Sequence, residues 1–409
     1  MYLNFAWRYF KAKKSANAIN IIAWVTAGVI AFATACQILV LSVFNGFEDL
    51  VKSLYSSFYT DVKITSAQGK TFILTASQLN SIKQNPQVHS LSMIAEEKAL
   101  LQNADADLQS VVYLKGVDSN YQNVSGVAAK VVQGKFNTGT VDDPGIVVGY
   151  GIQNAAGVSV DEKLQPTVVT LILPKKGKVT VSDPMQSLSE GNAKATGVFM
   201  IQQDFDNKYA ITNIHFVKQQ MGFSPDEYSA CEIKIKANTD PVMVQNDLKK
   251  ILGTAYNIQT KYEQNSSLYN TMRMEKWFIY AVLTLILLIA AFNMISALTM
   301  LVLEKQKDIS ILQSMGAGKN MVLKIFLSEG LLLGAIGTVS GIILALLICY
   351  LQVKFKLVKI QGGSFLVDYF PVKLQLADFI LVTSTAAAIA FMASWFPARK
   401  ASGQTIELR

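Results

Sequence analysis

Residues 277–303 read WFIYAVLTLILLIAAFNMISALTMLVL, with no charged side chain in the run. A stretch longer than the roughly 20 apolar residues that cross a bilayer core can satisfy its backbone there only as a helix. The next residues, 304–318, read EKQKDISILQSMGAG, in which Asp308, Ile309, Ile311, Leu312 and Met315 fall at helical spacing. That pattern predicts a short amphipathic helix lying at the membrane surface.

The same rule reads three more spans. Residues 18–44 are uncharged and follow FAWRYFKAKK; residues 325–351 carry one acid, Glu329; residues 379–396 are uncharged and lead into PARKAS. The first run outlasts the 7–15 residues of a signal h-region, so it reads as a retained anchor. An even number of spans puts both termini on one side. Arg8, Lys11, Lys13 and Lys14 in the N-terminal arm place that side in the cytoplasm, together with Lys305, Lys307, Lys319 and Lys324 in the 304–324 loop and Arg399, Lys400 and Arg409 in the tail. The segment 352–378, with Lys354, Lys356, Lys359 and Lys373, runs against this rule and is nonetheless assigned outside.

The expected order is a cytoplasmic amphipathic arm (1–17), span one (18–44), an outer domain (45–276), span two (277–303), a cytoplasmic helix loop (304–324), span three (325–351), an outer connection (352–378), span four (379–396) and a cytoplasmic tail (397–409). Within 45–276, 22 Lys and Arg nearly cancel 23 Asp and Glu, so the chain's formal charge of +8 resides in the membrane-flanking segments. That distribution suits anionic lipid headgroups and argues against nucleic acid. Strand patterns occur at 61–65, 108–117, 167–173, 194–201 and 228–236. Helical ones occur in TASQLNSIKQN, GYGIQNAAGV and DPVMVQNDLKKIL, with Thr75 and Asp240 in capping positions. The fold class is thus an α-helical membrane protein with four transmembrane helices and a large α+β extracytoplasmic domain between helices one and two. Residues 182–197, SDPMQSLSEGNAKATG, read as a long hairpin loop or a protruding docking element.

Cys36 and Cys349 lie in spans and Cys231 stands alone in the outer domain, so no disulfide within that domain is expected. His89 and His215 lack any metal-ligand spacing around them, and no metal is expected. Gly69-Lys70-Thr71 mimics the end of a phosphate-binding loop, but Ile64 stands where that loop needs glycine. ATP chemistry would therefore belong to another chain, and this chain is not expected to be an enzyme. Gly330, Gly334, Gly337 and Gly341 form a stripe on span three for helix packing. Glu329, near one end of that span, is expected to snorkel or cap, or to lie against protein.

LSVFNGFEDLV after span one, RMEKW before span two, FNMISALTMLVLEKQKDISILQSMGA, FPARKAS after span four and GIVVGYGIQNAAGVSVDEKL in the outer domain are distinctive. Together they resemble the permeases of the lipoprotein-releasing ABC transporter, the LolC and LolE type, within a wider group that includes FtsX and MacB-like proteins. The NGFE of residues 45–48 favours the lipoprotein-releasing branch. The resemblance implies an inner-membrane permease of a Gram-negative bacterium that pairs with a second copy or a paralogue and binds a LolD-type ATPase, which holds ATP and Mg. It also implies a lipoprotein lifted from the outer leaflet and passed to a LolA-type periplasmic carrier.

Carried over, Lys307, Asp308, Ile309, Ile311, Leu312, Met315 and Gly316 look like the coupling helix, with apolar residues entering the ATPase. Pro184, Met185 and Leu188 are carrier-docking candidates. For the acyl chains, the outer ends of spans one and two offer Val40, Val43, Phe44 and Phe47, and Trp277, Ile279, Tyr280 and Leu283. MacB-like export and FtsX-like mechanotransmission to an outer partner fit the same architecture, and a membrane-anchored receptor without ATP coupling is the alternative of another class.

Overall fold

A computed structural model describes residues 17–160, 166–177, 187–360 and 369–403. The chain divides into two compact units, one of residues Met1–Leu50, Asn270–Gly362 and Val367–Arg409, the other of Val51–Tyr269 and Gly363–Leu366.

The first unit is helical: α1 (Asn17–Phe58), α2 (Ser266–Glu304), α3 (Gln306–Ser314), α4 (Lys319–Phe355) and α5 (Leu376–Ser402). Four of these are long and apolar enough to cross a membrane. At 1.5 Å per residue α1 is roughly 63 Å long, about twice a bilayer's hydrocarbon core. Its helical backbone therefore continues well past the apolar run, through NGFEDLVKSLYSSF. Correspondingly, the units part at Leu50 and Asn270 instead of at residues 45 and 277.

Small side chains set the bundle's spacing. Ala23, Ile30 and Ala33 of α1, Ala290, Ala291 and Met294 of α2, Leu333 of α4 and Ala386, Ala390 and Ala393 of α5 share one buried cluster. The glycine stripe of α4 serves two neighbours in turn. A Cβ on Gly330 or Gly334 would meet Ser394 or Ala390 of α5, whereas on Gly337 or Gly341 it would meet Ile30 or the Ala31 carbonyl of α1. Helix axes so close are what small residues permit in a bilayer, where packing replaces the hydrophobic drive. Glu329 does not snorkel. It is 2% exposed, and its Oε2 has no hydrogen-bond partner among the described residues.

The second unit is built on β1 (Val62–Ser66), β3 (Val88–Asn103), β4 (Leu108–Val117), β5 (Val131–Gly134), β6 (Gly145–Gly149), β7 (Val168–Pro174), β8 (Leu188–Phe199), β9 (Tyr209–Asn213), β11 (Ala230–Ile235) and β12 (Tyr256–Thr260); β2 (Phe72–Ile73) and β10 (Glu227–Tyr228) pair separately. The large sheet runs β12-β1-β11-β3-β4-β9-β6-β8-β5, with β7 bridging β3 and β8. Helices Ala76–Gln84, Ile214–Met221 and Pro241–Leu252 contribute Ile82, Phe216, Val244 and Leu248 to one core. Thr75 and Gln78 form a capping box on the first, and Asp240 accepts from Val242 N at 2.9 Å on the last, with Pro241 at its first position.

A second core gathers Tyr55, Phe58, Tyr121, Phe199, Phe205 and Ile211. Beneath it lies an ion pair that no sequence pattern announces: Lys115 of β4 to Glu232 of β11 at 2.7 Å, with side chains 1% and 4% exposed. Burial opposes the Lys115 ammonium, but Glu232 outweighs it and holds that ammonium above its ordinary range. The Phe58 and Tyr121 rings flank the cation at 4.9 and 5.0 Å.

The loop expected over 182–197 is corrected from residue 188 onward, where β8 pairs β7 from Pro174↔Leu188 to Val168↔Lys194. Ala193 and Ala195 point inward while Asn192 and Lys194 face out, a two-residue alternation that small side chains disguise. Gly191 is there because a Cβ would strike the Phe216 ring at 2.8 Å. Pro184 and Met185 lie outside the described residues; Leu188 opens β8 and is 38% exposed.

Candidate functional site

At one end of the bundle, α2 breaks at Lys305 and the chain resumes as α3. The far end of α3 closes as a Schellman turn: Ala317 N donates to Leu312 O and Gly316 N to Gln313 O, both at 3.0 Å. Gly316 has φ +93°, so its glycine serves the turn.

The helix has two faces. Ile309 is 2% exposed and sits with Val302, Val322, Phe326, Ala398 and Ala401. It is thereby removed from the expected set of groove-entering residues, because its own chain has already covered it. Ile311 and Met315 are 58% and 79% exposed, Leu312 is half-buried, and Lys307 is exposed. Asp308 pairs with Lys305 at 3.3 Å. What α3 offers outward is a small apolar patch edged by charge, with Ile309 buried behind it.

At the other end of the bundle, Asn45, Gly46 and Phe47 of the NGFE run are each engaged. Asn45, 1% exposed, donates through Nδ2 to Asp378 Oδ2 at 2.5 Å and accepts from Lys276 Nζ at 2.8 Å. Lys276 reaches Asp378 Oδ1 at 2.9 Å. A Cβ on Gly46 would sit 2.2 Å from the Pro371 carbonyl oxygen, so glycine alone lets residues 371–372 lie on α1. Phe47 meets Phe370 edge-on at 5.6 Å, and Lys373 pairs with Asp49. These pairings, with Lys356 over the Tyr369 ring at 4.3 Å, engage two of the lysines that oppose the charge rule in 352–378.

The acyl-groove candidates differ in exposure. Val40 and Trp277 are exposed; Val43, Phe44, Phe47, Ile279, Tyr280 and Leu283 are half-buried. Tyr280 is bonded to Thr385 of α5 through its hydroxyl, and Phe47 is turned to Phe370. Two ties join α1 to α2 on either side of them, Gln37 to Thr284 at 3.2 Å and Asn45 to Lys276. Lys276, within the RMEKW string, and Asp378 carry no expected role in the sequence, although each is the charged residue bordering an apolar run.

Residues 23–251 match the model of the MacB-like periplasmic core domain, and residues 280–406 match that of the FtsX-like permease C-terminal region. The chain belongs to the MacB/FtsX-like permease family, in its LolC/LolE branch. The lipoprotein-releasing system transmembrane protein LolE of Haemophilus influenzae is 28% identical over 97% of this chain and 96% of its own length. LolC of Neisseria meningitidis serogroup B is 26% identical over 97% of this chain and 95% of its own. Among solved structures, the periplasmic region of MacB from Actinobacillus actinomycetemcomitans matches 54% of this chain and 98% of its own, at 13% identity and TM-score 0.37. In this LolC/LolE-type permease, α3 and Asp378 fall in the FtsX-like part and Asn45 in the MacB-like part. Lys276 lies between the two matches.

Proposed function

We propose that this chain is the permease subunit of a lipoprotein-releasing ABC transporter, extracting lipoproteins from the outer leaflet of the inner membrane and passing them to a LolA-type periplasmic carrier. The observation that carries the reading is likeness from end to end to proteins named for lipoprotein release, with the MacB-like and FtsX-like parts in one chain.

The termini and α3 face the cytoplasm. A LolD-type ATPase holding ATP and Mg seats on Ile311, Leu312 and Met315, with Lys307 and Asp308 at the rim. A second permease, identical or paralogous, completes the transporter. Closure of the ATPase displaces α3, and Ile309 transmits that displacement to α2, α4 and α5, whose residues surround it. The lipid-bearing end of the substrate enters beside Val40, Val43, Phe44, Trp277, Ile279 and Leu283. Because release needs only one leaflet, no path through the bundle is required.

Depletion of the chain in the bacterium that makes it tests the reading. Triacylated lipoproteins destined for the outer membrane should accumulate in the inner membrane; an unchanged distribution, with export of a soluble compound lost instead, would favour MacB-like export.

A further inference from the structure

We propose that Asn45, Lys276 and Asp378 form a rigid charge tie that makes the outer ends of α1, α2 and α5 move as one body, and that this tie couples ATP hydrolysis to lipoprotein release. The inference rests on the function proposed above and assigns positioning residues to it.

Asp378 is 5% exposed and Asn45 1%, so the pair lies where an unpartnered charge is costly. Each of the three side chains contacts the other two, at 2.5, 2.8 and 2.9 Å. They come from three helices far apart in the chain, and the closure is reinforced by Lys373 N donating to Ser42 O at 3.0 Å and by Gly46 against Pro371. Charge pairs fixed in so many directions resist sliding and tilting alike. Push the cytoplasmic ends of α2 and α5 through Ile309, and the outer ends must follow together with α1.

The asparagine supplies a specific test. Its amide presents a donor to the carboxylate and an acceptor to the ammonium, and turning it over by 180° exchanges the two. A charge swap is therefore accommodated, while either single change is not.

The permease and its ATPase are reconstituted in liposomes with a triacylated lipoprotein and a soluble carrier. Lys276→Met and Asp378→Asn should each lower lipoprotein released per ATP hydrolysed about tenfold, inside the roughly 5- to 150-fold range of coupling between sites. The hydrolysis rate per assembled complex should stay at the wild-type level, with abundance measured beside it because either single change leaves a buried partner unpaired. The double change K276D/D378K should recover most of the ratio. Single variants that release as wild type does, or that lose abundance and hydrolysis in step with release and are not rescued by the swap, overturn the tie.

A second readout is independent of release. Spin labels at the exposed Phe278 and Leu376 should report one narrow distance throughout the ATP cycle, broadened in Asp378→Asn. A wild-type distance that changes with nucleotide refutes the rigid tie, whereas a wild-type complex that hydrolyses ATP without releasing lipoprotein refutes the functional reading alone.

Discussion

Ile309 and Ile311 are two residues apart on one short helix, and the structure assigns them opposite fates. Ile309 is 2% exposed against Val302, Val322 and Phe326, so Ile309→Ala should cost about 2–5 kcal/mol of stability, as buried Ile truncations do. Ile311 is 58% exposed and Met315 79%. Fully burying such a side chain is worth about 1.5–3 kcal/mol. Scaled by those exposures, docking would draw roughly 1–2 kcal/mol from each, so I311A/M315A should weaken ATPase binding by roughly 30- to 1000-fold. The assay is titration of the partner ATPase onto the detergent-solubilised permease, beside thermal unfolding of the permease alone. The double variant should lose binding and keep its melting temperature; Ile309→Ala should lower the melting temperature first. An Ile309→Ala protein of wild-type stability that no longer binds, or an I311A/M315A protein that binds as before, would show that the faces are wrongly assigned.

Gly341→Ala should destabilise by about 1–3 kcal/mol in thermal unfolding, since the new methyl would lie 2.4 Å from the Ala31 carbonyl oxygen and the backbone of α1 cannot yield cheaply. Lys115→Met or Glu232→Leu alone should cost about 3–5 kcal/mol by stranding a buried charge, and the double change should recover most of it, as measured by denaturant unfolding. Burial raises the Asp206 carboxyl from 3.8 to about 6, so the folded chain holds that proton more tightly than the unfolded one. Its favourable contribution is complete below about pH 4 and is lost as pH rises through 6. Asp206→Asn should therefore gain on wild type between pH 4 and 7, by up to about 3 kcal/mol at 1.36 kcal/mol per unit; a pH-independent difference would contradict the buried carboxyl.

The membrane helices were legible because 27 uncharged residues admit one backbone solution, and Thr75 and Asp240 because capping is a local transaction between neighbours. Strand β8 was legible only from residue 194 onward. Ser189, Gly191 and Asn192 carry turn chemistry, and their pairing with β7 makes a strand of them. The continuation of α1 to Phe58 was hidden by polar residues that a helix outside a bilayer tolerates. Helical spacing identified α3 and its amphipathic character but not which apolar residues its own chain covers; that depends on Phe326 and Ala398, on other helices. The NGFE motif was recognised as a string, whereas its physics lies in Asp378, 333 residues from Asn45. Burial of charge across such separations leaves no periodicity to read.

The most direct measurement counts lipoprotein molecules delivered to a soluble carrier per ATP hydrolysed, in liposomes holding the permease, its ATPase and a triacylated lipoprotein. Delivery should require both ATP and carrier, and should disappear in I311A/M315A while the ATPase alone keeps its activity. Steady hydrolysis by the intact complex with every lipoprotein still in the bilayer would contradict the account.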